Sequence, residues 1–140
     1  MSHYVLDTDV LSHWQHGNPV VEQHVRKHSS DLVSIPVISI QEQLDGWHSL
    51  LRRARTRYDE ALAYDLLSAI LVPSWSQFGV VPFPESAILR FEQLVALRLN
   101  VGKMDLRIAA IALEYGAVVV TRNQRDFGRV PGLMIEDWTV

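Results

Sequence analysis

Short apolar runs alternate along this chain with stretches whose apolar residues recur every three to four positions, and the short runs stop at an acid, a proline or a turn. That alternation predicts repeated β-α units closed by a parallel sheet. The first strand is Tyr4 to Leu6, which runs straight into Asp7-Thr8-Asp9. A short helix follows with Val10, Leu11 and Trp14 on one side. Asn18-Pro19 predicts the cap and first residue of another, with Val20, Val21 and Val25 as its apolar side. Leu32 to Ile35 is a second strand closed by Pro36. Ile40, Leu44, Trp47, Leu51 and Ala54 then recur at helical spacing. Tyr58, Ala61, Leu62, Leu66 and Ala69 mark a further helix that Pro73 is expected to end. Val80 to Phe83 is a third strand, and Ala87, Ile88, Phe91, Leu94 and Val95 form a helix. Asp105 opens the next helix, with Ile108, Ala109 and Ala112 on its face and Gly116 as its C-cap. Ala117 to Thr121 is a fourth strand, Asn123 and Asp126 lie in a turn, and Leu133 to Ile135 is a short fifth strand, with Trp138 over the end of the core.

At 140 residues the chain is the size of one domain, and about two-thirds of its unfolded surface should be buried on folding. It has no cysteine, which excludes disulfides, thiolate metal sites and cysteine nucleophiles. No apolar run reaches membrane-span length and no leader pattern is visible, so a cytoplasmic location is expected. The net charge is -3, so any affinity for nucleic acid must rest on local patches. Of 13 basic residues all but Lys27 and Lys103 are arginine. Arg52, Arg53, Arg55 and Arg57 are close in sequence, and Arg122, Arg125 and Arg129 surround the last acidic segment. Arginine forks suit phosphate oxygens.

Acids recur where elements begin or end. Asp7 stands at the tip of the first strand, the edge where parallel sheets place ligands. Its plain alternative is a helix cap, a part that Asp9 could also play. Ser39-Ile40-Gln41-Glu42 fits a capping box, which competes with a site role for Glu42. Asp105 lies on a core-facing stripe, where an unpaired carboxylate is costly, although a first-turn Asp also suits the helix dipole. Asn123 and Asp126 taken singly are turn formers. His24 and His28 are one turn apart but lack a third ligand, and a solvated helix face explains them better than zinc. Carboxylates that converge repel each other unless protonated or offset by a cation, and an all-oxygen set favours Mg²⁺ or Mn²⁺. Such an ion suits phosphodiester hydrolysis.

Leu6-Asp7-Thr8-Asp9, Ser39 to Leu44 around Glu42, Met104-Asp105 leading into Ile108-Ala109-Ala110, and Thr121-Arg122-Asn123 through Asp126-Phe127 follow one another over essentially the whole chain. This ordered set resembles the motifs of PIN-domain ribonucleases, and is most similar to the VapC toxins of bacterial toxin–antitoxin pairs. The resemblance implies a single PIN-like domain over residues 1–140, with three α/β/α layers and a central, mainly parallel sheet of four to five strands. It implies a Mg²⁺- or Mn²⁺-dependent endoribonuclease acting on RNA, a homodimer, and a cognate antitoxin. Asp7 matches the first family acid, Glu42 the second and Asp105 the third. The fourth position falls on Asn123, with Asp126 one turn on, which leaves one-metal and two-metal sites both open. On that reading Asp7 and Asp105 hold the metal, and Glu42 binds through water or orients the attacking water. Asn123 and Asp126 complete the rim. Thr8 and Thr121 position waters or a phosphate oxygen, and Arg52, Arg53, Arg55, Arg57 and Arg122 guide the RNA.

Two other readings stand beside it. Asp7-Thr8-Asp9-Val10 also fits the opening motif of haloacid-dehalogenase-like phosphatases, with Asp7 as nucleophile and Lys103 as a conceivable lysine. A non-catalytic PIN-like module that binds RNA or protein is the other, made credible by Asn123.

Overall fold

The computed structural model describes all of residues 1–140. Its elements are β1 (His3–Leu6), α1 (Thr8–Gln15), α2 (Pro19–Lys27), β2 (Leu32–Pro36), α3 (Val37–Arg53), α4 (Arg57–Leu66), α5 (Val72–Phe78), β3 (Val80–Val81), α6 (Glu85–Ala96), α7 (Lys103–Tyr115), β4 (Val118–Val120), α8 (Gln124–Phe127) and β5 (Ile135–Glu136). A π-helical turn, Leu67–Leu71, joins α4 to α5.

The five strands form one sheet in the order β3-β2-β1-β4-β5, with every neighbouring pair parallel. Tyr4 pairs with Val33 on one side and Val118 on the other, so β1 is central. The chain builds outward from β1 through β2 and β3, then returns to lay β4 and β5 on the opposite side. The reversal opens a crevice beyond the carboxyl ends of β1 and β4, the place where ligands meet open parallel sheets.

Alternation along the strands divides the core between two faces. Val5 and Val119 point into a cluster with Ile38, Leu94, Ile108 and Phe127, under α6 and α7. Tyr4, Leu6, Val118 and Val120 point the other way, against Val10, Leu11 and Val21 of α1 and α2, with Trp138. The result is three α/β/α layers. Along α7 the buried residues include Ala109, Ala110 and Ala112, whose small side chains let the helix lie close to the sheet. Gly116 ends α7 with φ of 63°, a left-handed conformation that glycine adopts without a Cβ penalty.

Several local expectations are corrected. Pro73 does not end a helix; it is the second residue of α5, directly after a π-helical turn, and the helical run continues through it. The wider π turn before it makes room for the ring. On α4 it is Ala63 that is buried, while Tyr58 and Leu62 are exposed. Val20 on α2 is exposed as well, and Val21 carries the burial. β3 stops at Val81 because Pro82 cannot continue a ladder, and β5 begins two residues later than its apolar run. His24 and His28 are not a solvated face: both rings stack on Trp138, at 5.7 and 4.5 Å between centroids.

Candidate functional site

Asp7 follows the last residue of β1 and caps α1, so its backbone is pinned at both ends. Its amide donates to the Val120 carbonyl at 2.9 Å, and its own carbonyl accepts from Leu11. One carboxylate oxygen accepts from the Thr8 amide at 2.8 Å, and the other accepts from Thr121 Oγ1 at 2.8 Å. The side chain is 6% exposed. Burial is the main force raising its carboxyl from 3.8 to about 7, followed by the charge of Asp9. The hydrogen bonds from Thr121 and Thr8 oppose that rise, and Asp105 adds a smaller push.

Thr121 leaves β4 fully buried, and its hydroxyl also accepts from the Asn123 amide at 2.9 Å. Thr8, at the start of α1, donates to Glu42 Oε1 at 2.7 Å. The capping box expected around Ser39 is not formed. α3 begins at Val37, so Ser39 lies inside its first turn and its hydroxyl donates to the Leu6 carbonyl at 3.1 Å. Glu42 therefore sits in the second turn, held by Thr8, and Ser39 fastens α3 to the end of β1.

Asp105 stands in the first turn of α7, half-buried. Burial raises its carboxyl to about 6, followed by the charges of Glu42, Asp126 and Asp9; a hydrogen bond from Asn123 works the other way. Asn123 Nδ2 donates to Asp105 Oδ2 at 3.4 Å and to Asp126 Oδ2 at 3.1 Å. The expected turn is in fact a short helix, α8, which Asn123 caps. Asp7, Glu42, Asp105 and the pair Asn123 and Asp126 are thus drawn to one end of the sheet from four separate segments.

Asp9 belongs to this rim too, although in the sequence it had a place in the Leu6-Asp7-Thr8-Asp9 motif without a site role of its own beyond a cap or the phosphatase alternative. Its charge bears on both Asp7 and Asp105. The signal was the Asp-x-Asp spacing at a strand tip. Arg129, noted in the sequence only as one of three arginines around the last acidic segment, places its guanidinium 3.4 Å from Asp126 Oδ1.

The remaining candidates lie elsewhere. Arg52, Arg53, Arg55 and Arg57 are exposed between the end of α3 and the start of α4. Ten residues of helix separate Glu42 from Arg52, roughly 15 Å at the α-helical rise. Arg122 is exposed and meets His13 Nε2 at 2.9 Å. Lys103 is exposed and forms no ion pair with Asp7. A cleft of ≈ 440 Å³ opens beside the rim and includes Thr8, Glu42, Gln43 and Trp47 in its lining.

No three acidic or imidazole side chains already stand close enough to hold an ion between them. The donor set nevertheless fits a hard cation. It is all oxygen, its charges repel one another, and Mg²⁺ is commonly held by one or two carboxylates, with water and phosphate completing its shell. An open, crowded rim meets that need where a closed cage is not required.

Residues 4–133 match the PIN domain family. The chain is 28% identical over 145 residues to the tRNA(fMet)-specific endonuclease VapC of Salmonella typhimurium, with 99% of each covered. Among solved structures it is similar to the DNA-bound VapBC of Salmonella typhimurium, with a TM-score of 0.79, 25% identity and 99% of each chain covered. It also shares its fold with VapBC2 of Rickettsia felis, bound to a promoter DNA fragment. There the TM-score is 0.75 at 20% identity, with 97% of this chain and 98% of that one covered.

Proposed function

The chain belongs to the PIN-domain family, and from that premise we propose that it is a divalent-metal-dependent endoribonuclease, the toxin of a VapBC-type pair. The observation that carries the reading is the pair Asp7 and Asp105. They come from different ends of the chain, and both carboxyls are pushed up by burial and by neighbouring acids. A fold keeps such repulsion where a bound charge relieves it. The match with a VapC endonuclease over the full chain supports the reaction class, and tRNA is the substrate to try first. The similarity to VapBC complexes supports an antitoxin partner. The same reading takes residues 1–140 as one domain that pairs as a homodimer.

Asp7 and Asp105 would hold Mg²⁺ or Mn²⁺. When bound, the ion supplies positive charge to the phosphate oxygens and lowers the cost of forming hydroxide from water. The chain's own residues do the rest. Thr121 and the Thr8 amide fix both oxygens of Asp7. Thr8 holds Glu42, whose free oxygen orients the attacking water and takes its proton. Asn123 and Asp126 close the far side of the rim. Arg122 and the group Arg52, Arg53, Arg55 and Arg57 lie outside it and steer the RNA strand.

The phosphatase reading has no support beside a family match that spans the chain. The test compares RNA cleavage by the native chain and by Asp7→Asn, each with Mg²⁺ and with EDTA. Cleavage is expected only for the native chain with Mg²⁺; equal cleavage in all four conditions would overturn the proposal.

A further inference from the structure

Three corners of the rim carry carboxylates, and the fourth carries an amide. Asn123 has one donor group and one acceptor, and both are engaged. Its Oδ1 accepts from the Asp126 amide at 3.4 Å, as the cap of α8. Its Nδ2 points between two acids, donating to Asp126 Oδ2 at 3.1 Å and to Asp105 Oδ2 at 3.4 Å. The second oxygen of Asp126 accepts from Arg129 Nη1 at 3.4 Å. That guanidinium also donates to the Asn100 carbonyl at 2.8 Å, in the loop that leads into α7. Arg129 is thus braced against the segment that delivers Asp105.

The consequence is electrostatic. A cation at this corner would need carboxylate oxygens turned toward it. Asp126 instead lies between the Asn123 amide and the Arg129 guanidinium, 3.4 Å away, so positive charge already stands at this corner, and the amide presents its positive edge to Asp105 as well. A guanidinium beside Asp126 already offsets part of its charge, which reduces what a second cation would gain there. An amide nitrogen has no lone pair to offer a metal.

We propose that Asn123, Asp126 and Arg129 form a latch that takes the place of a second cation, so that each chain binds a single divalent ion. Arg129 is a positioning residue: it fixes Asp126, and through it Asn123, without touching substrate. This rests on the metal-dependent reading above, and the experiment separates the two. Mn²⁺ is titrated into the metal-free full chain without RNA. Calorimetry gives the stoichiometry, and electron paramagnetic resonance shows whether neighbouring ions couple. The native chain is expected to bind one ion with an uncoupled spectrum. Asn123→Asp and Arg129→Gln are each expected to admit a second ion and show coupling, and Arg129→Lys to restore the single ion. Thermal unfolding of each variant checks that it folds, and the native stoichiometry decides by itself if one does not. Two coupled ions in the native chain would overturn the latch and leave the metal-dependent reading standing. One ion in every variant would overturn it too, since the latch would then not set the number. No ion in any protein would remove both.

Discussion

Asp7 is the residue whose surroundings most oppose its own charge. It is buried at the tip of β1, with Asp9 adjacent, and its carboxyl sits at about 7 in place of 3.8. A carboxyl raised by folding binds its proton more tightly in the native state than in the unfolded chain. Its contribution to stability is therefore complete below 3.8 and is lost as pH rises toward about 7. Asp105 acts in the same direction, up to about 6. In metal-free protein, Asp7→Asn is expected to melt a few degrees above the native chain at pH 8. That gap should shrink toward pH 4, and added Mg²⁺ should shrink it at pH 8 by stabilising the native chain alone. Paired thermal melts across pH provide the check, and a gap independent of pH would mean that Asp7 carries no such repulsion. The sequence already marked Asp7, Glu42 and Asp105. It did not show how each is held, because Thr121 reaches Asp7 across 114 residues and Thr8 reaches Glu42 across 34.

At the scale of elements, α7 is the one that joins core to site. Its face of Ala109, Ala110 and Ala112 is fully buried beside Val5 and Val119, and its first turn carries Asp105. Ala109→Leu adds three carbons where the packing leaves no room. The expected cost is about 1–3 kcal/mol, read as a lower urea midpoint. Cleavage should fall with it, because the helix that lifts off the sheet also carries Asp105 away from Asp7. An unchanged midpoint would show that α7 is not pressed against the sheet. Helical periodicity made this element legible in advance. The same reasoning failed at Pro73, since a proline ends a regular α-helix but not one that has widened into a π turn.

For the whole molecule, the net charge of -3 gives no general attraction to RNA, so binding must draw on exposed arginines. Arg52, Arg53, Arg55 and Arg57 form no ion pair within the chain. Changing the four to Gln together is expected to raise KM for RNA with little effect on kcat, because they lie far from the carboxylates. It should also flatten the dependence of binding on salt. Binding measured at several salt concentrations tests this, and an unaltered slope would assign these arginines to solvent alone. The parallel sheet, most of the helices and the acidic rim at its carboxyl edge could be anticipated from the alternation of strand and helix patterns, but α5 beyond Pro73 and α8 after Asn123 could not. Neither the strand order nor the direction of the Asn123 amide could.

Local chemistry lies within reach of a few neighbouring residues, so the amino-acid order alone determined the strands, most helices, the caps at Asn18 and Gly116, and which acids sit at element ends. Which of those acids face each other, and which donors restrain them, was decided only when β4 came to lie beside β1. Parallel pairing joins segments that are remote along the chain, and a buried carboxylate takes its pKa and its partners from whatever that pairing brings within a few ångströms.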